Sequence, residues 1–353
     1  MADFPTPPWQ DLDYWQKRKK DRWRKVEAPA IAAPIVDTHC HLNSLSDPAY
    51  ALARASLLGV EKLCTIVDPI EMLSAEGADK TFECLDSWEA KARLIAAQLQ
   101  VIAWLKADVA VGESLGEDDY TYAIESLDVD LVSSSSEIEI TDLCIGLGCH
   151  PHNASGFTEE VESFMRSKLK DSRVACIGEI GLDYHYDLSP RQVQRDVFSR
   201  QIRIAQELSM PIALHVREAH SEAFAILEKE GFPQAGVLLH CCSLPPQEIK
   251  PWVDAGCYIA YGGPITFNNA DYARAGALEV PIDRLLTETD APYMTPVPLR
   301  GIECQPDYVR FSALCLAELV SSNSALSIKD VLEAFRSNAH AFLNQGPFPC
   351  QRL

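Results

Sequence analysis

The sequence predicts an α/β protein of the (β/α)8 TIM-type barrel class, and three observations carry the prediction. Eight short apolar runs recur between residues 34 and 289, stretches of helical periodicity separate most of them, and polar residues gather just past the C-terminal ends of the runs. Strands buried on both faces read as near-continuous apolar runs, and a helix between successive runs is the connection a parallel sheet requires. A doubly wound open sheet is the other arrangement of the same alternation.

Residues 1–30 read as an N-terminal extension. Asp11 and Asp13 precede Lys17, Arg18, Lys19, Lys20, Arg22, Arg24 and Lys25, with Trp15 and Trp23 interleaved. This pattern predicts a solvated helix whose two tryptophans pack on the body. A nuclear-import signal, or nucleic-acid contact through residues 15–25, is the sharper reading of the same charge run. The barrel is expected over 31–347, with its runs at 34–37, 63–67, 144–148, 174–178, 211–215, 236–240, 257–261 and 285–289. Residues 192–208 are the clearest intervening helix, with Val193, Val197, Phe198, Ile202, Ile204, Ala205 and Leu208 at helical spacing. Between the second and third runs lie about 75 residues, far more than a barrel unit needs. An insertion is therefore expected over about 76–141: a helix at 87–109, then a mobile acidic segment with Glu113, Glu117, Asp118, Asp119, Glu125, Asp128, Asp130 and Ser133–Ser136. Residues 348–353 form a tail.

Composition narrows the function. A length of 353 residues fits two average domains or one large barrel, and 47% hydrophobic with 23% charged residues is ordinary for a folded chain with a sizeable core. No apolar run approaches the roughly 20 residues that span a bilayer, so no membrane association is expected. The acidic, proline-rich opening has no apolar stretch of the kind a secretory signal carries. The 12 cysteines are dispersed without paired CxxC spacing, as reduced thiols of an intracellular protein, cytoplasmic or nuclear, would be. A net charge of −20 disfavours broad attraction to nucleic acid, yet leaves room for a local site where metal ions supply positive charge.

The strand ends carry the chemistry. Run one ends in His39 and His41, which share a face because side chains alternate along a strand. Run three ends in Gly148-Cys-His150-Pro-His152, run four in Gly178-Glu179-Ile-Gly-Leu-Asp183, run five in His215-Val-Arg217-Glu-Ala, run six in His240-Cys-Cys-Ser, and run eight in Glu288-Thr-Asp290-Ala-Pro-Tyr293. Six of the 9 histidines fall at these ends, on what would be one rim of a barrel. Histidines with carboxylates suit Zn²⁺, Mn²⁺ and related ions. Two such ions about 4 Å apart can share a water and clamp a displacement reaction, with one carboxylate between them. Glu179 is the natural bridge, because it comes from the middle of the ring. Asp290 can bind a metal and accept a proton.

These six ordered motifs resemble those of the TatD-type metal-dependent hydrolases, within the amidohydrolase-like barrels, across roughly residues 34–343. The resemblance implies a deoxyribonuclease, 3'-5' exonuclease-like, that holds two divalent ions (Zn, Mn or Mg) and cleaves phosphodiesters of DNA with a metal-bridging water. It implies His39, His41 and Asp290 on the first ion, Glu179 bridging, and His215 and His240 on the second. It implies Asp290 as general base and assigns His150, His152 and Arg217 to the substrate's phosphate. The chain departs from the family pattern in three places. Cys242, Ser243 and Leu244 follow Cys241. Glu303 and Cys304 stand where Arg-Asn is usual ahead of Pro306. The stretch Tyr261-Gly262-Gly263 lacks a hydroxyl before its second glycine. No ligand position is lost, but these changes bear on substrate preference. Hydrolysis of a carboxylic ester, lactone or amide by the same metal pair is the enzymatic alternative. A non-catalytic binding protein on a decayed barrel is the alternative from another class, and the six filled ligand positions count against it.

Overall fold

The protein is described by a computed structural model over residues 11–31, 33–74, 80–109 and 138–345. Two strands lie outside the barrel, β1 (Tyr14–Lys17) and β2 (Trp23–Val26). Eight form it: β3 (Ile35–Cys40), β4 (Val60–Val67), β5 (Asp142–Leu147), β6 (Val174–Asp183), β7 (Ile212–Arg217), β8 (Val237–Leu239), β9 (Tyr258–Tyr261) and β10 (Leu285–Thr287). They pair in chain order and all in parallel, so every C-terminal end faces the same rim. All eight expected runs are strands.

Two threonine hydroxyls and a backbone bond past the strand ends, rather than a continuous ladder, close the circle between β10 and β3. Thr287 Oγ1 donates to Val36 O (3.1 Å), Thr38 Oγ1 donates to Thr287 O (3.0 Å), and Asp290 N donates to His39 O (2.9 Å). Buried threonine hydroxyls thus satisfy carbonyls that a ladder would otherwise take.

The helices are α1 (Pro48–Leu57), α2 (Pro69–Leu73), α3 (Thr81–Val109), α4 (Glu159–Lys168), α5 (Arg191–Leu208), α6 (His220–Glu230), α7 (Pro246–Asp254), α8 (Asp271–Ala277), α9 (Val309–Ser322) and α10 (Ile328–Leu343). α5 matches its expected span to one residue. It buries Gln194, Val197, Phe198, Gln201, Ile202 and Ala205, a stripe at i, i+3, i+4, i+7, i+8 and i+11. α10 starts with a capping box between Ser327 and Asp330 and packs Val331, Phe335, Ala339 and Phe342 over the seam of β10 and β3. In the long connection after β4, α3 starts six residues before the expected helix and lies against α1. The acidic segment expected after it, and the tail from 348, lie outside the described residues.

The N-terminal segment differs from expectation. It is an antiparallel hairpin, not a helix, with Tyr14 opposite Val26 and Lys17 opposite Trp23. In a helix the contiguous lysines and arginines would repel at i,i+3 and i,i+4 with few acidic partners. In the hairpin the aromatic and β-branched residues Tyr14, Trp15, Trp23 and Val26 occupy the strands, and the charges crowd the turn, where Lys20 adopts a left-handed conformation (φ 61°). Tyr14 is buried, edge-on to Phe311 at 5.0 Å between ring centroids. Beside it Arg54 pairs with Asp307 at 2.9 Å in the interior and also donates to the carbonyl of Asp11.

One glycine sets how closely β6 approaches β7. Gly181 has φ 146°, and a Cβ there would lie 2.0 Å from the carbonyl oxygen of His215. Only glycine lets the strand carrying Glu179 lie this close to the strand carrying His215.

Candidate metal centre

Each candidate residue sits in the C-terminal half of a strand or just past its end. His39 is the penultimate residue of β3, and His41 lies just beyond that strand. Glu179 is within β6, His215 within β7, His240 follows β8, and Asp290 lies three residues beyond β10. The barrel brings all six together. Glu179 stands at their centre, and its two oxygens face different sets. Oε2 lies 3.5 Å from His39 Nε2 and 3.7 Å from His41 Nε2, whose partner Asp290 has Oδ1 at 3.9 and 3.4 Å from the same two nitrogens. Oε1 lies 2.6 Å from His215 Nδ1 and 2.8 Å from His240 Nε2.

Two ligands each roughly 2.0–2.2 Å from one tetrahedral ion stand about 3.3–3.6 Å apart. The separations in the set of His39, His41, Asp290 and Glu179 Oε2 fall at or near that value. Those around Oε1 are hydrogen-bond distances, drawn closer than two ligands on one ion. A second observation also fits a cation. His39 is fully buried, and neither ring nitrogen has a hydrogen-bond partner among the described residues. A buried polar atom left so costs about 1–3 kcal/mol unless something else meets it. The donor set of imidazoles and carboxylates is that of Zn²⁺ or Mn²⁺. His39, His41 and Asp290 form one group that could hold such an ion, His39, Glu179 and His240 a second, and His150, His152 and His215 a third.

The electrostatics follow from crowding. Burial alone would raise the Glu179 carboxyl, but His240, His150, His215 and His39 outweigh it and hold it well below the usual carboxylate range. Asp290 is likewise pulled down against burial by His41 and His240. Burial pushes His39 and His150 toward the neutral form. His41, His215 and His240 are lifted instead, because the facing carboxylates overcome the same burial. Neutral His39 and ionised Glu179 and Asp290 are the protonation states a cation needs in its ligands.

Positive-φ residues that are not glycine collect on this rim: Glu218 (53°), Cys241 (45°), Asp290 (60°) and Met294 (50°). Such conformations cost of order 1–3 kcal/mol each and persist where the surroundings impose them.

His150, His152 and Arg217 share the same cleft, which has a volume of ≈ 1020 Å³. His150 Nε2 is 3.7 Å from Glu179 Oε1. The backbone N–H of His150 donates to Asp68, whose carboxyl is pushed up to about 6 by burial. The Arg217 guanidinium lies 4.8 Å from the centre of the Tyr186 ring. Among the described residues it is the only lysine or arginine lining the cleft, against Asp68, Glu71, Glu218 and Glu248.

Four residues that hold this arrangement carry no role in the sequence reading. Asp183 is fully buried, and its Oδ2 meets His152 Nε2 at 2.9 Å and His215 Nε2 at 3.0 Å. Its Oδ1 accepts from the N–H groups of His185 and Tyr186. Burial opposes its ionisation, but these partners hold it far below the ordinary range. Glu288 accepts from Cys241 N at 2.5 Å and stands 3.5 Å from His240 Nδ1. Gln194 and Gln201, one face of α5, clasp the backbone of Asp183 and Cys149. Asp183 sits in a motif that the sequence displays, but its bond to two imidazoles from other strands is visible only in three dimensions. Of the departures from the family pattern, Glu303 turns away from the cleft, accepting from Ser46 N (3.0 Å) and Ser46 Oγ (2.8 Å).

A carboxylate behind a ligand imidazole fixes its tautomer, and losing one typically costs 10–100-fold in metal affinity or activity. Asp183→Asn is therefore expected to weaken metal binding and turnover by about 10–100-fold. Titration of the metal-free variant and steady-state kinetics measure both, and unchanged values for the two would remove Asp183 from this account.

The family profile described as TatD related DNase matches residues 36–344. A Bacillus subtilis protein named "Uncharacterized metal-dependent hydrolase YabD" is 39% identical over 173 residues, covering 49% of this chain and 68% of that protein. A Cronobacter sakazakii protein named "3'-5' ssDNA/RNA exonuclease TatD" is 36% identical over 150 residues, covering 42% of this chain and 57% of that protein. The crystal structure of a TatD homolog from Escherichia coli has the same fold, with a TM-score of 0.63 at 22% identity, over 88% of this chain and 98% of that one.

Proposed function

The chain belongs to the TatD related DNase family, and from that premise we propose that it is a divalent-metal-dependent deoxyribonuclease that hydrolyses phosphodiester bonds of a DNA strand, from a 3' end. One observation carries the reading: one oxygen of Glu179 faces His39 and His41 and the other faces His215 and His240. Two divalent ions bound there would acidify a water and neutralise charge developing on a phosphoryl oxygen. Asp290, held ionised beside His41, would take the proton of the attacking water. His150, His152 and Arg217 would orient the phosphate, Arg217 through its planar fork of donors. The name of the Cronobacter relative supports a nucleic-acid substrate and the exonuclease direction. A reducing intracellular compartment belongs to the same reading, since the eleven described cysteines are free.

A specific observation favours one other substrate class. Beyond the candidate ligands, four acidic side chains and a single arginine line the cleft among the described residues, a wall that repels a polyanion and tolerates a neutral carboxylic ester, lactone or amide. Assaying a 5'-labelled single strand beside a panel of such esters, with Zn²⁺, Mn²⁺ and Mg²⁺ in turn, separates the two. Stepwise shortening of the strand at a kcat/KM above that of every ester is expected. An intact strand together with turned-over ester would overturn the nuclease reading and leave the metal site standing.

A further inference from the structure

The N-terminal hairpin is more than a tether. Residues 17–26 hold seven lysines and arginines and one acidic residue, on a chain whose net charge is −20. Arg18, Lys19, Lys20, Arg22 and Arg24 are exposed and make no ion pair with a described side chain, while Lys25 pairs with Asp13 at 2.8 Å.

The base of the hairpin is fixed to the barrel from three sides. Tyr14 is buried against Tyr308 and Phe311. Asp11 receives Lys106 of α3 at 2.6 Å, and its carbonyl receives the Tyr50 hydroxyl at 3.1 Å. Gln16 Nε2 donates to the carbonyl of Pro298 at 2.6 Å. That last contact sets the direction. Pro298 belongs to the loop that leaves Asp290 and carries Tyr293 and Met294, both exposed and both lining the cleft. Pro298 is four positions beyond Met294, and an extended residue spans at most ~3.6 Å, so the hairpin meets the loop within about 14 Å of the cleft wall.

A positive track beside an exposed aromatic ring is what a single nucleic-acid strand requires, phosphates on the cations and a base on the ring. It also answers the acidity of the cleft: the attraction that the cleft wall lacks is provided by a hairpin tied to the loop that forms part of that wall. We infer that the hairpin turn, with Tyr293 on the cleft wall carried by the loop that Gln16 touches, holds the phosphates of a single-stranded nucleic acid whose end enters the metal centre. This deepens the nuclease reading and rests on it for the identity of the strand.

The test is binding by the full-length protein of a fluorescein-labelled thymidine strand of about twenty nucleotides, followed by anisotropy across a salt series. Each lost phosphate contact on a single strand lowers the slope of log K against log salt by about 0.7. Arg18→Glu/Lys19→Glu/Lys20→Glu is expected to weaken binding by about tenfold or more and to lower the slope by about 2. The glutamine triple variant should fall between the two proteins. Hydrolysis of bis(p-nitrophenyl) phosphate, too short to reach the hairpin, should be the same in all three. Equal affinity and slope in wild type and reversed variant would overturn the inference, as would a wild type that binds poly-glutamate as tightly as the strand. If the hairpin binds the strand but no strand is ever shortened, the nuclease reading fails and the binding surface stands. If strands are shortened equally well with the charges reversed, the surface fails and the nuclease reading stands.

Discussion

Glu179→Gln is expected to lower turnover by about 10³-fold or more, equivalent to ~4 kcal/mol of barrier, while leaving the fold intact. The substitution preserves shape in a residue only 3% exposed, so the barrel loses no packing. What it removes is the anion shared by the two sets of imidazoles. His215 and His240 lose the charge that Oε1 presents, and His39 and His41 the charge that Oε2 presents. A carboxamide cannot offer two anionic oxygens to two cations. Thermal denaturation adds a readout independent of turnover. A ligand that binds only the folded state stabilises it by RT ln(1 + [L]/Kd). Chelation should therefore lower the Tm of the wild type and leave that of Glu179→Gln almost unmoved. Undiminished turnover in the purified variant would remove Glu179 from the centre of the account.

Asp290→Asn is expected to lower turnover by about 10²–10⁴-fold, the range for loss of a positioned general base. Its signature should differ from that of Glu179→Gln. The substituted carboxamide would keep an oxygen near His41 and leave His215, His240 and Glu179 untouched, so metal should be retained better than in the Glu179 variant. A variant that still binds metal and no longer turns over separates proton acceptance from ligation. Full turnover in Asp290→Asn would contradict both roles given to Asp290.

The barrel is legible in the sequence because its physics is local. Eight buried parallel strands read as apolar runs, and a stripe such as Val197, Phe198, Ile202 and Ala205 announces its helix. The hairpin escapes such a reading for an equally local reason. A run of basic residues is compatible with a solvated helix, and what decides for strands is burial of Tyr14 against Phe311, at the far end of the chain. The centre divides the same way. HxH, GEIGLD and ETDAPY mark strand ends, so His39, His41, Glu179 and Asp290 can be named and grouped on one rim. The separation of the two Glu179 oxygens between ligand sets depends on the approach of β6 to β7 that Gly181 permits. Asp183, Glu288, Gln194 and Gln201 act through partners on other elements, and no spacing in the chain signals those partners. The seam of the barrel, with Thr38 bonded to Thr287 across 249 positions, is likewise invisible in the sequence.

The most direct measurement is the metal content of the wild type and of Glu179→Gln, each equilibrated with Zn²⁺ or Mn²⁺, freed of loosely held ions and analysed by inductively coupled plasma mass spectrometry. A centre in which one carboxylate serves two ligand sets should hold about two ions per chain, and the variant clearly fewer. A wild type that retains no divalent metal, or a variant that retains as much as the wild type, would contradict the claim that Glu179 joins two ion sites.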